Sequence, residues 1–275
     1  GPADYYVEPA DKKDLIEIVL YFEKNAYPHM MLGRGSNVIV SDEGIRCAAL
    51  NIESSLSDVR LEGDFVIAEA GAHWSKFVDF CVQNSLAGVE MLAGIPGTVG
   101  GAVVMNAGAR GGETADYLVD VEVFRDGQFQ TVKKADARFA YRRSGFEKDI
   151  VLSASFRLPP GDRDELIARR REYILKRNTT QPLTLPNSGS MFKNPPGMFA
   201  AKLIEQAGLK GKRVGNAQIS EKHANFIVNL GDAKASDVVT LIDLARRTVH
   251  QNTGVLLELE VKLVGFSNEV RQKVA

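Results

Sequence analysis

A chain of 275 residues with 44% hydrophobic and 25% charged side chains can fill two ordinary cores, which sets it apart from disordered and fibrous sequences. A net charge of −1 gives no basic footprint for nucleic acid, and no apolar run approaches the ~20 residues a membrane helix needs. Cys47, Cys81 and four scattered histidines show no metal-ligand spacing, so no metal is expected and the thiols read as buried and reduced.

In chain order, residues 4–8 read as a strand; the chain opens almost inside it, and a native segment is expected ahead of Gly1. Asp11 to Asn25 has the spacing of an amphipathic helix, with Leu15, Ile18, Val19 and Phe22 on one stripe. Met30-Met31-Leu32 closes a buried strand and Val38-Ile39-Val40 opens the next. Phe65 to Ala68 reads as a strand, and Trp74 to Gln83 as a helix with Phe77, Val78 and Cys81 inward. A glycine-rich loop follows at 94–102. Val119 to Phe124 and Gln128 to Val132 form a hairpin across Asp126-Gly127, then comes a strand from Ile150 to Leu158. Pro159-Pro160-Gly161 marks the expected domain boundary. Beyond it lie a basic helix from Asp162 to Asn178, read as a solvated face, and a loop from Asn187 to Asn194. A helix from Phe199 to Ala207 is ended by Gly208. Another runs from Ser236, its expected N-cap, to Asn252, and the last strand spans Val255 to Val264.

Two glycine segments point to chemistry. Gly33-Arg34-Gly35-Ser36-Asn37 sits between two strands, and Gly94-Ile95-Pro96-Gly97-Thr98-Val99-Gly100-Gly101 is followed by Asn106-Ala107. Glycine admits positive φ and lets amides close on anionic oxygens, so both segments suit a phosphate-bearing cofactor held by main chain. The first is not a Rossmann fingerprint, because a strand follows it and its third glycine is missing. Neither is a Walker A loop, because no Gly-Lys-Ser/Thr occurs.

Three further segments carry polar groups with chemical potential. Tyr141-Arg142-Arg143-Ser144 offers a planar fork of donors for a carboxylate or oxyanion, although two adjacent arginines alone read as solvent-facing. Gly189-Ser190-Met191-Phe192-Lys193-Asn194-Pro195 gathers a hydroxyl, a cation and an amide without a Gly-x-Ser-x-Gly elbow; its serine suits a proton donor better than a nucleophile. Leu257 to Leu263 alternates, with Glu258, Glu260 and Lys262 on one face, and the period does not choose between the glutamates.

In this order, with Gln218 to Asn229 added, these motifs resemble the UDP-N-acetylenolpyruvoylglucosamine reductases (MurB), flavoenzymes of bacterial wall synthesis. The likeness covers nearly the whole chain. The resemblance implies an α+β fold: an FAD-binding domain of the vanillyl-alcohol-oxidase/PCMH type, with two α+β subdomains, over residues 1–160, and a C-terminal α+β substrate-binding domain over 161–275. It implies non-covalent FAD, NADPH as co-substrate and reduction of an enolpyruvyl group to give UDP-N-acetylmuramate. Ser190 falls on the proton donor, and Arg142 and Glu260 on the residues that stabilise the intermediate, which favours Glu260 over Glu258. Cofactor contacts fall on Gly33, Arg34, Gly35, Ser36, Asn37, Gly94, Ile95, Pro96, Gly97, Thr98, Gly100, Gly101, Asn106 and Ala107. Substrate contacts fall on Tyr141, Asn194, Lys210 and His223, the last standing where some members have glutamine. A cytoplasmic monomer with no nucleic-acid or membrane partner is expected. The chain resembles the shorter members, which lack an inserted tyrosine loop. A covalent flavin tether of the oxidase kind would have only His73 as a candidate.

Overall fold

The computed structural model describes residues 1–274. The chain divides into two compact units, and each draws on discontinuous segments. One holds residues 5–34 and 47–176; the other holds 1–4, 35–46 and 177–275. This division differs from the linear boundary expected at Pro159–Gly161. Most of the basic helix Arg163–Thr180 belongs with the earlier residues, because Leu166 on its inner face is fully buried in the first core. Nor is that helix merely a solvated face: Arg169 reaches Glu90 at 3.6 Å and Arg170 pairs with Asp79.

The first unit is built on a five-stranded antiparallel sheet in the order Gln128–Lys133, Leu118–Arg125, Ile150–Phe156, Phe65–Glu69, Val59–Glu62. Its hairpin turns at Asp126 and Gly127, both at positive φ, as a tight turn matched to strand twist requires. The Trp74–Gln83 helix matches its predicted bounds. Trp74, Phe77, Val78 and Cys81 are buried from one face, with the Phe77 ring 4.5 Å from that of Phe156. Burial of each such aromatic contributes roughly 2 kcal/mol. The Lys12–Lys24 helix is capped by Asp11, whose carboxylate accepts the Asp14 amide at 2.8 Å. Leu15, Ile16 and Val19 are its buried residues.

The second unit has a four-stranded antiparallel sheet in the order Asn187–Ser190, Phe226–Asn229, Ala217–Ile219, Arg213–Val214. The helices Ala200–Gln206 and Ala235–Thr253 contribute Ala200, Leu203, Ile204, Leu241, Ile242 and Val249 to its core. Lys262–Val264 pairs in parallel with Val38–Val40.

Four expectations are corrected here. The Asn187–Asn194 loop begins as a strand, Asn187–Ser190. The glycine segment 94–102 is not all loop, since Val99 starts a short helix, Val99–Met105, with Thr98 as its N-cap. Ser236 is not an N-cap: the helix starts at Ala235, and the amides of Ala235 and Ser236 donate to the Asp42 carboxylate at 2.6 and 3.0 Å. The last strand is only Lys262–Val264, because the backbone before it is committed elsewhere: Lys193 donates to the Glu258 carbonyl, and Glu260 to that of Met191.

Candidate functional site

In the first unit Gly33, at the start of the first glycine segment, meets the second glycine segment at Thr98. A Cβ on Gly33 would lie 2.9 Å from Thr98 Oγ1, so glycine there allows the two loops to touch. Behind Gly33, buried Asn51 donates to the Leu32 carbonyl at 3.0 Å and to Glu53 Oε1 at 3.2 Å, and its Oδ1 accepts the Glu53 amide. Asn51 thus fixes the end of the loop, a role that a lone polar residue in a hydrophobic run does not advertise. Arg34 Nη1, His73 Nε2 and Glu53 Oε2 meet within 3.4 Å of one another.

The second glycine segment is used in two ways. Val99 donates to Ala72 and Gly100 to Ala70, so these amides hold the sheet, and a Gly100 Cβ would meet that of Ala70 at 2.9 Å. Gly94 and Gly97 have φ of 82° and 117° and turn the chain outward. Among the described residues no acceptor takes the amides of Gly94, Gly97 or the buried Thr98. These unspent donors are what anionic phosphate oxygens require, so the loop fits a dinucleotide cofactor. Thr98 Oγ1 accepts the Gly101 amide at 3.3 Å. Ile95 donates to Leu92, which fixes the approach to Pro96.

Asn106 is wholly buried at φ 43°, and its side chain is spent within the protein. Nδ2 donates to Glu113 Oε2 at 2.7 Å and to the Ala140 carbonyl at 3.1 Å, while Oδ1 accepts the Ala115 amide at 3.1 Å. Neighbouring Ala107 receives both the amide and the hydroxyl of Thr114. By its bond to Ala140, Asn106 anchors the turn that carries Tyr141 and Arg142. Arg142 takes φ 58°, in the left-handed region; its Nη2 donates to the Gly108 carbonyl at 2.8 Å, and its guanidinium lies 4.9 Å from the Tyr141 ring. It is therefore a half-buried, oriented cation rather than the freely solvated one its sequence context suggested.

In the second unit the segments that carry Ser190 and Glu260 are linked through Met191. Ser190 pairs with Phe226 at the end of its strand, after a bulge at which Gly189 takes φ 75°. The Glu260 amide donates to the Met191 carbonyl at 2.9 Å. Glu260 is half-buried, whereas the Glu258 carboxylate is 73% exposed and pairs with Lys193 at 2.5 Å. Asn37 joins the same patch: its Nδ2 donates to the Glu260 carbonyl at 3.3 Å, and its own carbonyl accepts the Lys262 amide. The Ser36 carbonyl lies beside Gly189, and Gly35, at φ 66°, opens this turn.

The expected substrate residues of this unit divide into two groups. Asn194 Oδ1 accepts the Ala200 amide and so orients the following helix. Lys210 pairs with Glu205 at 2.9 Å, and both bear on His223. The His223 ring packs edge-on against Phe226, the register partner of Ser190. Burial, with the nearby Lys210 charge, pushes its pKa down, so the ring is neutral at pH 7. Its Nδ1 is buried with no partner among the described residues, an atom a polar ligand can satisfy.

The comparisons with known proteins place the chain among flavin-binding oxidoreductases. The model of the family described as FAD binding domain matches residues 3–133, and that described as UDP-N-acetylenolpyruvoylglucosamine reductase, C-terminal domain, matches 181–264. A UDP-N-acetylenolpyruvoylglucosamine reductase of Chloroherpeton thalassium is 46% identical over 99% of this chain and 90% of its own length. One of Symbiobacterium thermophilum is 45% identical over 97% and 88%. The crystal structure of the Thermus caldophilus reductase (MurB) superposes with a TM-score of 0.82, at 37% identity, over 94% of this chain and 91% of that one. The chain belongs to the UDP-N-acetylenolpyruvoylglucosamine reductase family. It has an α+β fold with an FAD-binding domain and is an oxidoreductase of peptidoglycan precursor synthesis, with FAD as cofactor, NADPH as reductant and a nucleotide sugar as substrate.

Proposed function

We propose that Ser190, Glu260 and Arg142 carry the reduction of the enolpyruvyl group, with Ser190 as proton donor. The observation that supports this is the direct backbone link from Glu260 to the residue after Ser190, which ties the segments carrying the two residues together. FAD, when bound, would supply hydride from NADPH for addition at C3 of the enolpyruvyl group. C3 becomes a methyl, and negative charge develops on C2 and the carboxylate oxygens. Arg142, pre-oriented by Gly108, suits that developing charge, which is where fixed electrostatics contribute most. Ser190 Oγ then gives its proton to C2 and recovers one from solvent; half-buried Glu260 supports this intermediate.

In the same reading residues 1–160 serve the cofactor and 161–275 the substrate, a functional division distinct from that into compact units. The spans of the two matching family models support it. The residues that bind FAD are Gly33, Arg34, Gly35, Ser36, Asn37, the 94–101 segment and Ala107, with Asn106 acting through its internal bonds. Tyr141, Asn194, Lys210 and His223 serve the nucleotide sugar, Lys210 as a point charge for its diphosphate. We assign the protein to the cytoplasm as a monomer, on its resemblance to the family alone. Among the described residues no helix is long and apolar enough to cross a membrane.

An anaerobic flavin titration tests the reading. NADPH bleaches the oxidised band, and the enolpyruvyl substrate restores it. In Ser190→Ala the bleaching is unchanged and the restoration slows by about 10²–10⁴-fold, the usual contribution of a positioned proton donor. Normal restoration in Ser190→Ala removes the role given to Ser190.

A further inference from the structure

Resting on the roles given to Ser190 and Glu260, we infer that Asn225 is the positioning residue that holds them in register. The strand carrying Ser190 ends there, and its backbone ladder with the neighbouring strand closes on a last rung at Met191. Asn225 makes that rung and extends it with its side chain. Its carbonyl accepts the Met191 amide at 2.8 Å. Its side chain then grips the following residue from both sides: Oδ1 accepts the Phe192 amide at 3.0 Å and Nδ2 donates to the Phe192 carbonyl at 2.8 Å. Asn225 is 4% exposed, so these bonds face no competition from water.

The opposite side of the gripped segment meets the segment that carries Glu260. Phe192 bridges to Leu259, and the Met191 carbonyl receives the amides of Glu260 and, more weakly, Val261. Met191 and Phe192 are thus held by Asn225 on one side and by the Glu260 segment on the other. Ser190, just before them, is fixed by the Gly189 bulge and by this clamp. Only an amide can make the grip, because it alone offers a donor and an acceptor at that reach and is uncharged. Asn225 touches no reacting group in this account; it acts through Phe192.

The test uses the full-length, FAD-loaded enzyme and measures the two half-reactions separately, for wild type, Asn225→Ala and the isosteric Asn225→Asp, which keeps the acceptor and loses the donor. Misplacing a catalytic group by about 1 Å costs on the order of 10²-fold. The expected result is unchanged flavin content and unchanged bleaching by NADPH in both variants. The limiting rate of band return should fall roughly 10- to 100-fold, with its half-saturating substrate concentration close to that of wild type. Should Asn225→Ala fail to retain flavin, Asn225→Ser, with a shorter donor-acceptor group, takes its place under the same criterion. A limiting return rate within about twofold of wild type (under 0.5 kcal/mol of barrier) overturns the inference. So does a parallel fall of both half-reactions, which marks a general structural role. If wild type itself bleaches without return, the reading of Ser190 and Glu260 has failed, and that outcome does not depend on any Asn225 variant.

Discussion

Asn106 supports the turn bearing Arg142, and removing its amide should be costly. Asn106→Ala deletes three buried hydrogen bonds, to Glu113, Ala140 and Ala115, worth about 1 kcal/mol each. It also places alanine at φ 43°, where asparagine is tolerated better by about 1 kcal/mol. The sum is a loss of about 4 kcal/mol, or a fall in Tm of roughly 8–16 °C for a unit of this size. Asn106→Asp separates bonding from packing. It has nearly the same volume and keeps the acceptor for Ala115, but it loses both donors and sets a carboxylate against Glu113. Its loss should be at least that of alanine. Scanning calorimetry of the flavin-free protein, with a reheating scan to establish reversibility, measures both. An Asn106→Asp protein within about 1 kcal/mol of wild type would show that volume, not hydrogen bonding, holds this residue, and would refute the reasoning.

Gly100→Ala should destabilise by about 1–3 kcal/mol in urea unfolding, although alanine is the better helix former, because its Cβ would meet that of Ala70 at 2.9 Å. Asp42 carries a pKa below its ordinary value; burial works to raise it, but the amides of Ala235 and Ser236 outweigh that effect. Its contribution is therefore present above about pH 4 and lost as pH falls further, and Asp42→Asn should flatten that limb of an acid-unfolding curve. His223 has the same sign at a higher pH. Its depressed pKa means that the unfolded chain takes up a proton first, so stability is lost as pH drops below about 6.5, and His223→Gln should remove that slope in urea titrations at pH 5.5 and 7.5. Burial pushes the Cys81 thiol far up, so native protein at pH 8 should be alkylated at Cys47 and not at Cys81, as peptide mapping would show.

How much of this is legible in the sequence depends on where each segment's hydrogen bonds go. The Trp74–Gln83 helix is legible to the residue because its apolar stripe and its backbone bonding share one period. Val255 to Val264 is legible only as extended chain. Its alternation is real, with Leu257 and Val261 buried and Glu258 exposed, but most of its backbone bonds reach single residues rather than a ladder. The ordered motifs single out Ser190, Arg142 and Glu260 by resemblance. The period alone left Glu258 and Glu260 equal, and the exposure of Glu258 against the half-burial of Glu260 is what distinguishes them in the structure. Asn51, Asn106 and Asn225 carry the least signal. Each is a buried amide most of whose partners lie on backbone, and backbone partners leave no trace in residue identity.

The excursion of residues 35–46 into the second unit bears on synthesis at the ribosome. Asn37 emerges early, yet the Glu260 carbonyl it bonds lies 223 residues downstream. Val38–Val40 likewise waits for Lys262–Val264 before its parallel pairing can form. The 177–275 segment released alone would lack Ile39, a member of its core. Vectorial folding of this chain therefore cannot finish one unit before the next is begun: a strand made near the start stays unpaired until almost the last residues leave the exit tunnel, so a nascent-chain arrest placed before residue 260 should hold the second unit incomplete whatever the state of the first.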